Sequence, residues 1–236
     1  MAPSGDGLTG LFLWGQAIGG ANVIEKSNLR IYALLSTIAA WVVIAIALLT
    51  VVLIAFWFSS ETRISPVNPF AIGIGLASIL GNTMFMLAAI PLLLWVYTAH
   101  ANLRAVGVTG LRHSPAWATF SFLVPIANLF VPFVAMRELA NRSAGEPAEF
   151  AESTVDDVTS WWSCLIVGSV MGAMVAATVL VDAVPGLYVT TPIEAVMALR
   201  LFSLLLNAGS AYFLVKVIRQ VTQNQLSGSA EGGVFE

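Results

Sequence analysis

Charge is what this sequence has least of. Of its 236 residues, ten are Lys or Arg and thirteen are Asp or Glu, so 10% are charged while 58% are hydrophobic. A soluble domain carries roughly 25% charged and about 45–50% apolar residues, so the polar side chains here are too few to cover a water-facing surface. The basic residues form no stripe with interleaved aromatics, which leaves nucleic-acid binding without support. A lone cysteine, Cys164, excludes an internal disulfide. The two histidines, His100 and His113, have no second cysteine and no carboxylate at fixed helical spacing, so no metal site is expected. A nucleophile–base–orienter set, a phosphate loop and a nucleotide fingerprint are also absent, so no catalytic residue and no cofactor are expected. The first twenty residues lack a basic leader and contain Asp6, so they are expected to be retained rather than cleaved as a signal peptide.

What the chain has instead is long uncharged runs, and stretches of about 18 or more such residues are membrane spans. Residues 31–58 form the first, with Trp57 and Phe58 marking an interface and Ser27 or Asn28 available as its cap. Asn68-Pro69 starts the second, which runs to about Leu103. Within it Gly73, Ala77 and Gly81 share a face and predict a close helix contact. Pro91 is expected to kink it. A third span follows the polar loop 141–158, where Ser153 and Asp156 read as a capping pair. It carries a second small-residue stripe, Gly168, Gly172 and Ala176. Thr191-Pro192-Ile193-Glu194 reads as a capping box before the fourth span, which ends near Lys216 and Arg219. The organisation expected is an interfacial or flexible segment over 1–28, one helical membrane domain over 29–219, and a mobile tail over 220–236.

Between the second and third spans lies "SPAWATFSFLVPIANLFVPFVAM", uncharged but broken by Pro125 and Pro132. Proline inside a helix costs about 3 kcal/mol, which favours two short helices, Pro115–Val124 and Leu129–Ala140, turning at "PIAN" with Asn128 capping the second limb. Each limb is about 15 Å long, roughly half of a hydrocarbon core of about 30 Å. Positive charge points the same way. If the segment returns, Lys26, Arg30, Arg104, Arg112, Arg137, Arg142, Lys216 and Arg219 lie on one side, and only Arg63 and Arg200 on the other. If it crosses, the count is five against five. Cytoplasmic loops collect Lys and Arg, so a cell-membrane protein with both termini cytoplasmic is expected. The fold class is an all-α membrane protein: four transmembrane helices plus a proline-broken helical hairpin, re-entrant or interfacial, between the second and third spans.

Trp95, Tyr97, Asn102, Leu103 and Arg104, then Ser114, Pro115 and Trp117, then Pro125, Asn128, Pro132, Met136, Arg137 and Glu138 stand in a specific order over about fifty residues. In that order the chain resembles the bacterial membrane family catalogued as domain of unknown function 4328. Members often carry a basic residue just before the second proline, where this chain has Val131. The resemblance implies the architecture and no particular activity.

The candidate binding or structural residues are His100, Asn102, Arg104, Trp117, Pro125, Asn128, Pro132, Arg137, Glu138 and Arg200. His100 and Arg104 are one turn apart and expected to share a face, with Asn102 beside them, to meet lipid headgroups or the loop carrying Glu138. Arg137–Glu138 is expected to pair with Arg104 or Arg112 and clamp the hairpin to the second helix. Arg200 is ionisable within a span, which makes it a functional candidate; its bland role is an interface anchor. Asn82 and Asn207, polar at membrane depth, are expected to bond between helices. The leading functional expectation is a non-enzymatic structural or accessory module, or a binder of a lipid-like molecule. Its partners would be the lipid bilayer and other membrane proteins or itself. The alternative is a small transporter or channel whose hairpin, residues 115–140, lines a path. An interfacial enzyme using His100, Arg104 and His113 is the third and weakest.

Overall fold

The computed structural model describes the backbone of residues 6–61, 68–182, 184 and 191–228, with side chains from Ser27 onward save Val179 and Asp182. Arg63, counted above on the opposite side, lies outside these residues. Among these residues six α-helices follow in order: α1 Asp6–Ser59, α2 Pro69–Ala105, α3 Pro115–Phe120, α4 Val131–Ser143, α5 Asp156–Asp182 and α6 Ile193–Ser227. Four stretches of the described residues are long and apolar enough to cross a membrane: Ser27–Ser59, Pro69–Ala105, Asp156–Thr178 and Ile193–Ser227. The chain is a multi-pass membrane protein.

Two apolar clusters fix the direction of each helix. Leu29 and Ala33 of α1, Leu103 of α2, Val158 of α5 and Val221 of α6 are buried together at one end. Ile54 and Trp57 of α1 meet Ile74 of α2 at the other, with Met197 and Leu204 of α6 packed against them. The spans therefore alternate, and the end of α2 and the start of α5 sit at the same end of the molecule. The proline-broken segment returns to the side it left.

In cross-section the spans form an arc. α2 packs on α1, α1 on α6 and α6 on α5, while α2 and α5 share no packed interface among the described residues. The hairpin fills the space between them at one end: α3 lies on α2, and α4 touches α2, α5 and α6. Its residues Ala118, Ala135, Met136 and Leu139 are part of the buried cluster.

Small residues explain the tight contacts. A Cβ on Gly73 would lie 3.5 Å from Leu53, and one on Gly81 would lie 3.3 Å from Ile46, so this stripe meets α1 as its spacing implies. On α5, a Cβ at Gly168 would stand 2.8 Å from Asn207 Nδ2 and one at Gly172 3.1 Å from Ser203 Oγ. Ala176 does not continue that stripe; it is exposed, and Val175 is buried in its place.

Several caps differ from expectation. Asn68 caps α2 by accepting from Phe70 N and Ala71 N, and Ser114 caps α3 by accepting from Trp117 N. Ser27 and Asn28 cap nothing, because α1 is helical on both sides of them. α5 starts at Asp156, directly after Val155 rather than Ser153. Pro192 is itself the N-cap of α6 and Thr191 makes no cap bond, so no capping box forms. α2 runs through Pro91 as one helix. α6 continues to Ser227 with Val221 and Thr222 buried, so residues 220–227 belong to the helical domain rather than to a tail.

Candidate functional site

The loop that leaves α2 turns twice through the left-handed region, at Gly107 (φ 84°) and Gly110 (φ 74°). Glycine adopts that conformation without a Cβ clash. The second turn brings Arg112 and His113 against α4, where Glu138 is 1% exposed. A carboxylate so buried needs donors, and it has three. Glu138 Oε1 accepts from the Arg112 backbone N–H at 2.5 Å. Its Oε2 accepts from the His113 backbone N–H at 3.3 Å and lies 2.8 Å from His113 Nδ1. Burial opposes the charge, but the His113 ring and the two backbone amides together outweigh it and hold Glu138 below the usual carboxylate range.

Four further side chains close the seam. Arg142 donates to the Thr109 carbonyl at 2.9 Å and also to the Glu146 carbonyl. Asn141 Nδ2 stands 3.0–3.1 Å from the carbonyls of Phe150, Ala151 and Ser153, tying α4 to the polar loop. Gln225 of α6 donates to Ala99 O of α2 at 3.0 Å and to Ser143 Oγ of α4 at 2.9 Å. Trp95 Nε1 of α2 donates to Thr222 Oγ1 of α6 at 3.1 Å. Irregular backbone survives at a membrane only where its polar groups are satisfied, and this network supplies them at the foot of the hairpin.

The expected residues fall into three groups. Glu138 is central, but it holds the backbone of Arg112 and His113 rather than pairing with a guanidinium. Arg112 instead meets Glu152 at 2.6 Å on the surface, and Arg104 donates to the His113 carbonyl at 3.2 Å. Arg137 reaches Ser153 O at 3.3 Å and lies 5.1 Å over the Phe133 ring. His100 and Arg104 do not share an environment: Arg104 is exposed, whereas His100 is fully buried with Nδ1 2.9 Å from Val96 O. Asn102 Nδ2 stands 3.5 Å from Gln225 Oε1. Pro132 is buried in the first turn of α4, where its missing N–H costs nothing.

The second group belongs to the hairpin's outer face. Trp117 and Pro125 are exposed, as are Leu123, Ile126 and Phe130. Asn128 caps nothing: it sits in the 3₁₀ turn Ala127–Leu129, and α4 follows Phe130 with no side-chain cap. The third group is Arg200 alone, on α6 near the opposite end.

Asn141, Arg142 and Gln225 were missing from the expected set, and His113 stood only in the interfacial-enzyme reading. The signal for α4 was present in "MRELANRS", where Glu138, Asn141 and Arg142 recur at three and four residues as the apolar hairpin gives way to the polar loop. Their partners are mostly backbone groups, which composition does not reveal.

Over residues 70–223 the chain matches the family model described as Domain of unknown function (DUF4328). The chain belongs to this family. The matched stretch begins one residue after the start of α2 and takes in the hairpin, the Glu138 clamp, α5 and most of α6. No curated protein and no solved structure matches it. The match covers the hairpin together with Glu138 and its donors, while α1 and Gln225 lie outside it.

Proposed function

We propose that this is a non-enzymatic membrane module of the accessory or ligand-binding kind, in which the hairpin is a fixed platform. The observation that carries this reading is how the hairpin is seated. Ala118, Ala135, Met136 and Leu139 are buried among residues of all four spans, and the foot is held by Glu138. A gate that opens would leave that carboxylate without its donors. The outer face of the hairpin is apolar and exposed through Phe120, Leu123, Ile126 and Phe130, a surface suited to lipid or to another membrane protein.

Orientation is part of the proposal. Arg30, Arg104, Arg112, Arg137, Arg142, Lys216 and Arg219 flank the hairpin end, against Arg200 toward the other. By the positive-inside rule the hairpin and both termini face the cytoplasm of a cell membrane. The test is purification in mild detergent, with particle mass by light scattering and extracted lipid measured together. A bound lipid or a defined oligomer is expected, and a bare monomer refutes the reading.

A small transporter or channel has one observation in its favour. His100 Nε2 and Asn102 Oδ1 are buried polar atoms without a hydrogen-bond partner, and a water-filled path beside the hairpin would satisfy them. Solute flux into reconstituted vesicles, abolished by Asn128→Leu, would select that reading.

A further inference from the structure

Helical periodicity carries the hairpin's seat outward along the membrane. On α6, Gln225 bonds α2 and α4, which marks the side that faces the hairpin. At 100° per residue, Ile218, Asn207 and Arg200 fall within about 20° of that direction. On α2, His100 is fully buried between Ala99 and Leu103, which share the buried cluster with Ala135, Met136 and Leu139 of α4. Asn82 stands eighteen residues earlier, five whole turns, and so points the same way. Among the described residues α2 and α5 share no packed interface, and α6 touches both. The face that the hairpin covers at one end therefore has no α2–α5 contact to close it farther along, which is the place we assign to a groove.

Of these polar groups Asn207 is already engaged: it donates to Ser203 O of its own helix at 2.8 Å and packs on Gly168 of α5, which leaves Arg200 as the group without a partner. Arg200 makes no ion pair or hydrogen bond among the described residues, and its Nε is buried without a partner. The residue as a whole is half-buried. Arg200 stands about 10 Å along α6 from Ile193. Met197 and Leu204, one turn to either side of it, pack on Ile54, Trp57 and Ile74. A guanidinium held at that depth calls for an anion, and its planar fork suits a phosphate. Asn82 is exposed, and Asn82 and Asn207 lie about 20 Å from the same end. Exposed apolar side chains of α2, among them Ile79 and Met86, flank that depth.

We propose that the groove between α2 and α5 binds an acidic phospholipid from the leaflet opposite the hairpin. Arg200 holds its phosphate, and its acyl chain lies along α2 and α6 toward the hairpin. This deepens the reading of a non-catalytic module by naming a ligand class, and it rests on that reading.

The experiment uses the full chain in nanodiscs of phosphatidylcholine with phosphatidylglycerol, extracted into mild detergent and weighed by native mass spectrometry. One tightly retained phosphatidylglycerol is expected, preferred over phosphatidylcholine by at least about tenfold, because both carry the phosphate but the choline ammonium neutralises it and repels the guanidinium. Arg200→Gln loses the preference and Arg200→Lys keeps part of it. Arg219→Gln, an exposed charge at the hairpin end, keeps all of it. Circular dichroism shows that each variant is folded. To separate misfolding from lost binding, a second probe leaves Arg200 intact: Asn82→Trp fills the groove and also lowers retention. Equal retention in Arg200→Gln overturns the proposal, as does equal retention of the two lipids. Displacement by inorganic phosphate alone would mean a free-anion site and also overturns it. A preference lost together with a bare monomer fails the functional reading too, whereas a defined oligomer with no lipid preference fails only the groove.

Discussion

Replacing Glu138 by alanine should release the loop that joins α2 to the hairpin. The substitution strands three donors that now converge on one buried carboxylate: the Arg112 amide, the His113 amide and the His113 ring. A buried donor left unmet costs about 1–3 kcal/mol. The loop lies at the end of the bundle where water can reach, so the lower bound applies to each, giving about 3 kcal/mol in total. That is roughly a hundredfold in the local opening equilibrium. Hydrogen exchange of the Arg112 and His113 amides in the detergent-solubilised protein reads this directly, because exchange reports local opening free energy. About hundredfold faster exchange is expected at both amides, with little change in the middle of α1. Glu138→Gln retains an acceptor and should fall between. Glu152→Ala is the control: its pair with Arg112 is on the surface, and such pairs give about 0–1 kcal/mol. Unchanged protection at Arg112 and His113 in Glu138→Ala would refute the clamp, as would an equal effect from Glu152→Ala.

Other consequences are open to measurement. Because Glu138 is held below the ordinary carboxylate value of 4.5, its contribution is full above that value and is lost as pH falls through the lower folded value. Thermal unfolding of the wild type against Glu138→Gln, from pH 7 downward, should show a gap that closes only below about pH 4.5. Gly110→Ala forces a side chain into the left-handed region and places its Cβ 3.0 Å from Ala148 Cβ. A loss of about 1–2 kcal/mol is expected from the backbone alone, seen as a lower unfolding midpoint. Gly168→Val would push α5 off α6 at Asn207 and Leu206, costing about 1–3 kcal/mol. Gly75→Ala, which meets nothing within 4 Å, should be neutral or stabilising on the same assay.

The sequence revealed the spans because uncharged length is a direct physical requirement of the bilayer. The hairpin was legible for a related reason: Pro125 and Pro132 cannot both sit in one straight helix, and the arginine count favoured a return. Helix starts were less legible. Asn68 and Ser114 cap as expected, but Thr191 does not, because Pro192 takes the cap position and the helix begins one residue later. Asn128 was given a capping role that the 3₁₀ turn at Ala127–Leu129 removes. At the site, Glu138 was identifiable as a charge where the apolar hairpin gives way to the polar loop, yet its partners were misassigned. Charge pairing suggested guanidinium groups, while the fold supplied backbone amides presented by two left-handed glycines. The arc of four spans could not have been read from composition, because lipid and protein neighbours select for the same apolar side chains.

The most direct test of the central claim is the sidedness of the two ends of the hairpin. In a Cys164→Ser background, single cysteines at Thr109, Glu149 and Glu194, all exposed, are labelled with a membrane-impermeant maleimide in sealed vesicles. Thr109→Cys and Glu149→Cys should react from the same face, and Glu194→Cys from the opposite one. Thr109→Cys and Glu149→Cys labelling from opposite faces would contradict the account and make the proline-broken segment a fifth crossing.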